Sequence, residues 1–210
     1  MKTALFDLDG TLIDSRGDLA KAVNLTRQDF DLPPRPVAEV VACVGEGVRV
    51  LIERAIPELP MHWDAMLVRQ QVHYQQHCLD QTSLYEGVAE SLNTLHADGW
   101  RLAVITNKPA CFTHTILEGL GLTGLFQAVV GGGECDRLKP DPAPLYLAAR
   151  RMDCVLTEAD WMIGDHFTDL AAGRSAGIKS CFCRYGFGEV RQERYDAAID
   201  CMCDLLPILH

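Results

Sequence analysis

The sequence predicts an α/β protein: a doubly wound, mostly parallel sheet with an α-helical domain inserted into it. Three observations predict it. Short apolar runs recur along the chain, and several stop at an acidic or glycine-containing loop. From about residue 85 onward, helical periodicity fills the intervals between those runs. Residues 16–83 instead carry helical periodicity with no β run.

Thr3, Ala4, Leu5 and Phe6 form an apolar run cut off by Asp7, the pattern of a buried strand. The period then changes. Val48, Leu51, Ile52 and Ala55 make one helical stripe, and residues 67–79 read as a further helix. Pro33, Pro34 and Pro36 break the first helix of this stretch from the next. The stretch is too long for an ordinary βα loop. It is therefore assigned as a helical domain over 16–83, with 1–15 and 84–210 as the α/β core. An insertion after a strand's C-terminal end sits over the crevice where α/β sheets bind ligands.

Beyond it, Val88, Leu92 and Leu95 are spaced i, i+4, i+7, and Gly99 follows as a helix stop. Leu102, Ala103, Val104 and Ile105 form a second strand, ending at Thr106 and Asn107. Phe112, Ile116 and Leu120 continue as a helix before Gly121. Ala128, Val129 and Val130 make a third strand, and 142–152 a helix. Trp161, Met162 and Ile163 make a fourth strand, stopped by Gly164 and Asp165. A helix over 167–176 and a strand over 178–182 complete the alternation.

Charge narrows the function. The chain has 210 residues and a formal net charge of -10. That balance argues against nonspecific nucleic-acid binding and against adhesion to anionic membranes. An anionic substrate would need a bound cation or a local cluster of donors. Charge arrives at Asp7, too early for a signal peptide's apolar region, and no run of about 18 apolar residues exists. A cytoplasmic location is expected. The nine cysteines are scattered apart from Cys181/Cys183 and Cys201/Cys203. Free thiols in a reducing compartment are the expected state. A metal site built from the two Cys-x-Cys pairs is the lesser alternative, because one-residue spacing is not that of zinc sites.

Four short segments stand at or near predicted strand ends: Asp7-Leu8-Asp9-Gly10-Thr11, Thr106-Asn107, Lys139-Pro140, and Gly164-Asp165 with Asp169. All strand C-termini of a parallel sheet meet on one edge, so these segments converge. Three or four carboxylates in a small space repel one another and need a cation. Oxygen-only ligation suits magnesium, which favours phosphate oxygens as further ligands. Lys, Thr and Asn add donors for a phosphoryl group. An aspartate is a competent nucleophile toward phosphorus, and a second one can carry the proton.

This constellation resembles the haloacid dehalogenase superfamily over nearly the whole chain. Phe6 to Ser15 is similar to the first motif in its phosphatase form. Thr106 matches the second motif's hydroxyl and Lys139 the third motif's lysine, and Gly164-Asp165-His166-Phe167-Thr168-Asp169 matches the fourth. The resemblance implies a Rossmann-like core and a magnesium-dependent phosphoric monoester hydrolase. Asp7 would be nucleophile and metal ligand. Asp9 would be general acid/base and ligate metal through its backbone carbonyl. Thr106, Asn107 and Lys139 would hold the phosphoryl group, with Gly10 and Thr11 beside it. Asp165 would be a metal ligand and Asp169 a further or supporting one. The helical insertion would be the cap over the substrate. Within the superfamily the chain is most similar to phosphoglycolate phosphatases, through Gly10 to Ser15, Val44 to Leu51 and Leu138 to Pro144. The expected partner is a small phosphorylated metabolite resembling 2-phosphoglycolate, and the expected assembly a monomer or homodimer. One departure stands out: His166 occupies a position that often carries a small hydroxyl residue.

Blander readings exist. Asp9 before Gly10 is a turn signal, Thr106-Asn107 a possible helix N-cap, and Asp169 a first-turn acid. Gly45 is a candidate for presenting its N–H to substrate at a helix start, and could equally be only a helix entry; Arg49 is a candidate for meeting a substrate anion, the lesser reading beside a helix residue without that role. Rival functions are a phosphatase for another sugar phosphate, a phosphomutase of the same fold, a dehalogenase, a receiver-type domain and an inactive phosphate-binding module. A dehalogenase needs neither Asp9 nor metal, and a receiver domain is shorter and lacks the insertion.

Overall fold

The structure is a computed structural model and describes residues 2–209. In chain order its elements begin with strands β1 (Thr3–Phe6) and β2 (Ile13–Asp14). Four helices follow: α1 (Arg16–Asp29), α2 (Val37–Val41), α3 (Val48–Ala55) and α4 (Trp63–His77). Then come β3 (Ser83–Leu84), α5 (Val88–Ala97), β4 (Arg101–Pro109), α6 (Ala110–Gly119) and β5 (Ala128–Gly132). The chain closes with α7 (Ala143–Arg151), β6 (Trp161–Gly164), α8 (Phe167–Ser175), β7 (Lys179–Cys183), β8 (Ala197–Ile199) and α9 (Leu206–Leu209).

The main sheet has six strands in the order β5-β4-β1-β6-β7-β8. Every neighbouring pair in it is parallel. All four residues of β1 are buried, as a strand covered on both faces must be, and this is why it reads as an unbroken apolar run. Alternate residues feed two cores. Ala4, Phe6, Leu102, Val104 and Ile163 face one side with α5 and α6. Leu5, Ala103, Ile105 and Met162 face the other with α7 and α8. Burying each large aliphatic or aromatic chain there contributes roughly 1.5–3 kcal/mol.

The helix α5 ends as expected at Gly99. Gly99 N–H donates to His96 O and Trp100 N–H to Leu95 O, closing the last turn. In α6 the buried stripe is Phe112, Ile116 and Leu117; Leu120 lies past the helix end and is half-buried. The strand β4 runs beyond Ile105, with a register shift before Pro109 pairs with Gly132.

Helices α1 to α4 lie between β2 and β3. The helix α1 packs on α2 and α4, and α3 on α4. Arg27, 2% exposed, ties this group together by donating to Pro33 O, Ala55 O and the Glu58 carboxylate. The two chain crossings into and out of the group are joined. The antiparallel pairs Ile13–Leu84 and Asp14–Ser83 form a two-stranded ribbon. Beside it the buried Asp18 carboxylate accepts from the N–H of Gln81 and Thr82 and from the Thr82 hydroxyl.

The cysteines depart from expectation at one place. Cys201 and Cys203 are joined as a disulfide, with Cα atoms 5.3 Å apart, inside the usual range. An extended Cys201 followed by a 3-10 turn folds these two side chains together. The other seven cysteines are free, and Cys181 and Cys183 are buried in β7. Among the described residues, the grouping placed to hold a metal is Asp7, Asp165 and Asp169 and contains no cysteine. No helix among them is long and apolar enough to cross a membrane.

Candidate active site

The site lies at the C-terminal edge of the sheet. Asp7 follows β1 directly and is fixed by donating its N–H to Ile163 O at 2.9 Å. Asp165 follows β6, and Asp169 stands in the first turn of α8. Lys139 comes from the loop between β5 and α7. Its ammonium reaches Asp7 Oδ1 at 2.7 Å, Asp169 Oδ1 at 2.6 Å and the Ile105 carbonyl. Asp7, Asp165 and Asp169 each present an oxygen within 4.8 Å of the others.

Three buried carboxylates thus cluster about one ammonium that pairs with two of them, Asp7 and Asp169. Burial raises the Asp7 pKa to about 6; Lys139 pulls it down, and Asp169 and Asp9 push it up. Burial also pushes Asp165 well above the carboxylate range, aided by Asp7 and Asp169, although the N–H groups of Gly188 and Phe187 oppose the shift. Burial alone would lower Lys139; the Asp169 and Asp7 carboxylates reverse this and hold it above the ordinary lysine value. The raised values record a deficit of positive charge: one lysine does not offset three buried carboxylates, which are driven toward protonation instead. An oxygen-only donor set with that deficit fits a hard divalent cation such as magnesium.

Asp9 faces away from this cluster. Both its oxygens lie 2.8 Å from Lys108 Nζ, and one also accepts from the Ser15 hydroxyl. The Lys108 ammonium sits 4.5 Å from the centroid of the Tyr74 ring on α4. Beside Asp7 and Asp9 opens a cavity of about 60 Å³, walled on one side by Thr106, Lys108 and His166 and on the other by Gly45, Leu51, Gln70 and Tyr74.

Two glycines permit close approach. At Gly10, φ +82, an added Cβ would collide with the Asp165 carboxylate. At Gly45, φ +120, an added Cβ would stand 2.7 Å from the His166 ring. His166 itself is 5% exposed and caps α8. Its Nδ1 contacts the Thr168 hydroxyl and backbone N–H, and Asp169 Oδ2 accepts from the His166 N–H. Burial lowers its pKa to about 4.

With this geometry in view, comparison with known proteins is decisive. The family model for haloacid dehalogenase-like hydrolases matches residues 4–183. The chain belongs to this family. A phosphoglycolate phosphatase of Colwellia psychrerythraea is 42% identical over 191 residues, 87% of this chain and 84% of that one. A phosphoglycolate phosphatase of Haemophilus influenzae is 33% identical over 216 residues, 97% of this chain and 96% of that one. Among solved structures, a predicted phosphoglycolate phosphatase from Haemophilus somnus superposes with a TM-score of 0.92 at 30% identity, covering 100% of this chain and 98% of that one.

In this haloacid dehalogenase-like hydrolase, the structure brings together Asp7, Thr106, Lys139, Asp165 and Asp169, and sets Asp9 at the same cavity. Asn107 lines the cavity, but its amide is engaged. It donates to Gly45 O and Lys139 O and accepts from the Lys139 N–H, so it joins three loops. Gly10 and Thr11 lie behind Asp165, outside the cavity wall; Thr11 Oγ1 stands 3.5 Å from Asp165 Oδ1, and its carbonyl accepts from Tyr185. Arg49 is elsewhere. It points out from α3, paired with Glu53 and Asp64, and its side chain is half exposed. The charge it was expected to offer a substrate is already taken by those carboxylates.

Sequence reasoning missed Lys108, Gln70 and Tyr74. Lys108 follows Thr106-Asn107 at a predicted strand end, and that position was the available signal. A lysine in a loop ordinarily reads as solvated. Here the extension of β4 carries it inward, and its side chain is 3% exposed.

Proposed function

We propose that this chain is a magnesium-dependent phosphatase acting on a small phosphate monoester such as 2-phosphoglycolate, by phosphoryl transfer to Asp7. The observation that carries the proposal is the placement of Asp7: buried in a carboxylate cluster with one lysine, open to a small cavity, and with Asp9 on the cavity's wall. The names of the relatives support phosphate ester hydrolysis, and the cavity supports a small substrate.

The chemistry follows from the residues. A carboxylate oxygen of Asp7 attacks phosphorus as the bond to the leaving alcohol breaks, and Asp9 gives the leaving oxygen its proton. Water then attacks the phosphorus of the Asp7 acyl phosphate. Asp9 takes the water's proton, and the Asp7 carboxylate departs as phosphate is released. Lys139 and the Thr106 hydroxyl donate to phosphoryl oxygens, where one well-placed donor is worth on the order of 10²–10³ in rate. Asn107 acts by holding the Gly45 and Lys139 loops in register. The Asp7, Asp165 and Asp169 side chains with the Asp9 carbonyl would hold magnesium, which supplies charge neutralisation on the phosphoryl group. Helices α1 to α4 serve as the cap: they supply the cavity's far wall and exclude water from it.

The test is metal removal and return. Chelated protein is predicted to lose phosphate release from 2-phosphoglycolate, and magnesium to restore it. Calcium, which takes more ligands at longer distances, is predicted not to. Full activity without metal or with calcium contradicts the metal assignment. No phosphate release from any member of a panel of small phosphate monoesters contradicts the phosphatase itself.

A further inference from the structure

Among the described residues, three buried side-chain polar atoms have no hydrogen-bond partner: Gln70 Oε1, Tyr74 Oη and Tyr85 Oη. Two of the three belong to the wall of the active cavity. Gln70 and Tyr74 are each 1% exposed and stand one turn apart on α4, so they share a face. An unpartnered buried polar atom weakens a fold, and an apolar side chain of the same shape would avoid that cost. Two such atoms, on residues one helical turn apart that both line the cavity, are free to meet a ligand there.

The surroundings define what they would receive. Lys108 is the one cation among the residues described as lining the cavity, and its ammonium lies over the Tyr74 ring. The intervening wall is apolar, with Leu19, Leu51 and Phe112. An uncharged amide, a hydroxyl and an ammonium on the wall of one largely apolar cavity suit a small anion on a carbon stem. Either end of the Gln70 amide can be turned to the ligand, since its oxygen and nitrogen exchange by rotation.

We propose that Gln70, Tyr74 and Lys108 form the subsite that receives the carboxylate of a leaving group such as that of 2-phosphoglycolate, and so set how strongly the site prefers it over a leaving group without one. This rests on the phosphatase reading above and adds to it the residues that choose the alcohol. The Gln70 amide and the Tyr74 hydroxyl donate to the carboxylate. Lys108 supplies charge while remaining beside Asp9. A leaving group without the carboxylate leaves both α4 groups unpaired, and a site built this way discriminates strongly against it.

The experiment compares 2-phosphoglycolate with ethyl phosphate, which has the same heavy-atom chain length but no carboxylate. It uses the full-length magnesium-loaded protein as wild type, Tyr74→Phe and Gln70→Leu. The wild type is predicted to favour 2-phosphoglycolate by at least about 100-fold in kcat/KM. Each variant is predicted to lower that ratio about tenfold, mainly through KM, with a Tm equal to or above wild type because an orphaned atom has been removed. A wild-type ratio near one, an unchanged ratio in both variants, or a marked fall in Tm in both overturns the subsite. Hydrolysis of neither ester by the wild type overturns the phosphatase reading, and this inference with it.

Discussion

Lys108 and Asp9 are 99 positions apart in sequence, yet both Asp9 carboxylate oxygens lie 2.8 Å from one ammonium. The pair joins the end of β1 to the end of β4 on the wall of the cavity. It fixes the direction of the carboxylate to which we assign the leaving oxygen's proton, and the Tyr74 ring over the ammonium ties both to the helical segment.

Lys108→Met should therefore harm both fold and turnover. Removing one partner of a largely buried pair leaves the other without compensation, at a cost of about 3 kcal/mol. Loss of a held acid/base group should lower kcat about 100-fold. Denaturant unfolding and steady-state kinetics of the same variant check the two together. A variant stable as wild type and with wild-type kcat would show that the pair does neither job.

Gly45 and His166 are the second coupled pair. Gly45→Ala adds a Cβ at 2.7 Å from the imidazole on a backbone with φ +120, and should cost about 2 kcal/mol. For a chain of this size that is a fall in Tm of about 4–8 °C. His166→Ala in the same background removes the collision but not the backbone strain. The double variant should recover part of the loss, a non-additivity that a thermal-melt double-mutant cycle reads directly. Strict additivity would mean that the ring is not what Gly45 makes room for.

Acid should loosen the helical segment through Glu58. The side-chain bond from Arg27 holds the Glu58 pKa down to about 2, against the opposing effect of burial. A folded-state pKa below the unfolded value of 4.5 gives stability that is present above 4.5 and lost as pH falls through about 2. Glu58→Gln should flatten the pH dependence of stability in that window. Partial exposure of Glu58 makes the effect modest. Melts from pH 5 to 2 of both proteins should converge at the acid end, and parallel curves would contradict the assignment.

Much of this architecture is legible in the sequence for a physical reason. β1 and β6 are central parallel strands buried on both faces, so they are written as unbroken apolar runs that stop where function begins. Asp7 and Asp165 are legible because acids abruptly end such runs. β2 and β3 are not legible: each pairs only two residues, too short to impose a period. β8, Ala197–Ile199, is short and lies at the sheet's edge. Lys108, Gln70 and Tyr74 were hidden for another reason. Their direction depends on how α4 docks over the end of β4, and no local pattern encodes that. Arg49 shows the converse, where a suitable residue type near the site is turned outward by its ion pairs.

Asp7→Asn removes the proposed nucleophile itself. The amide is nearly isosteric with the carboxyl but is a poor nucleophile toward phosphorus. Phosphate release from 2-phosphoglycolate in saturating magnesium should fall on the order of 10⁴-fold or more, while circular dichroism and Tm report an intact fold. Turnover near the wild-type rate by a folded Asp7→Asn protein would rule out phosphoryl transfer to Asp7.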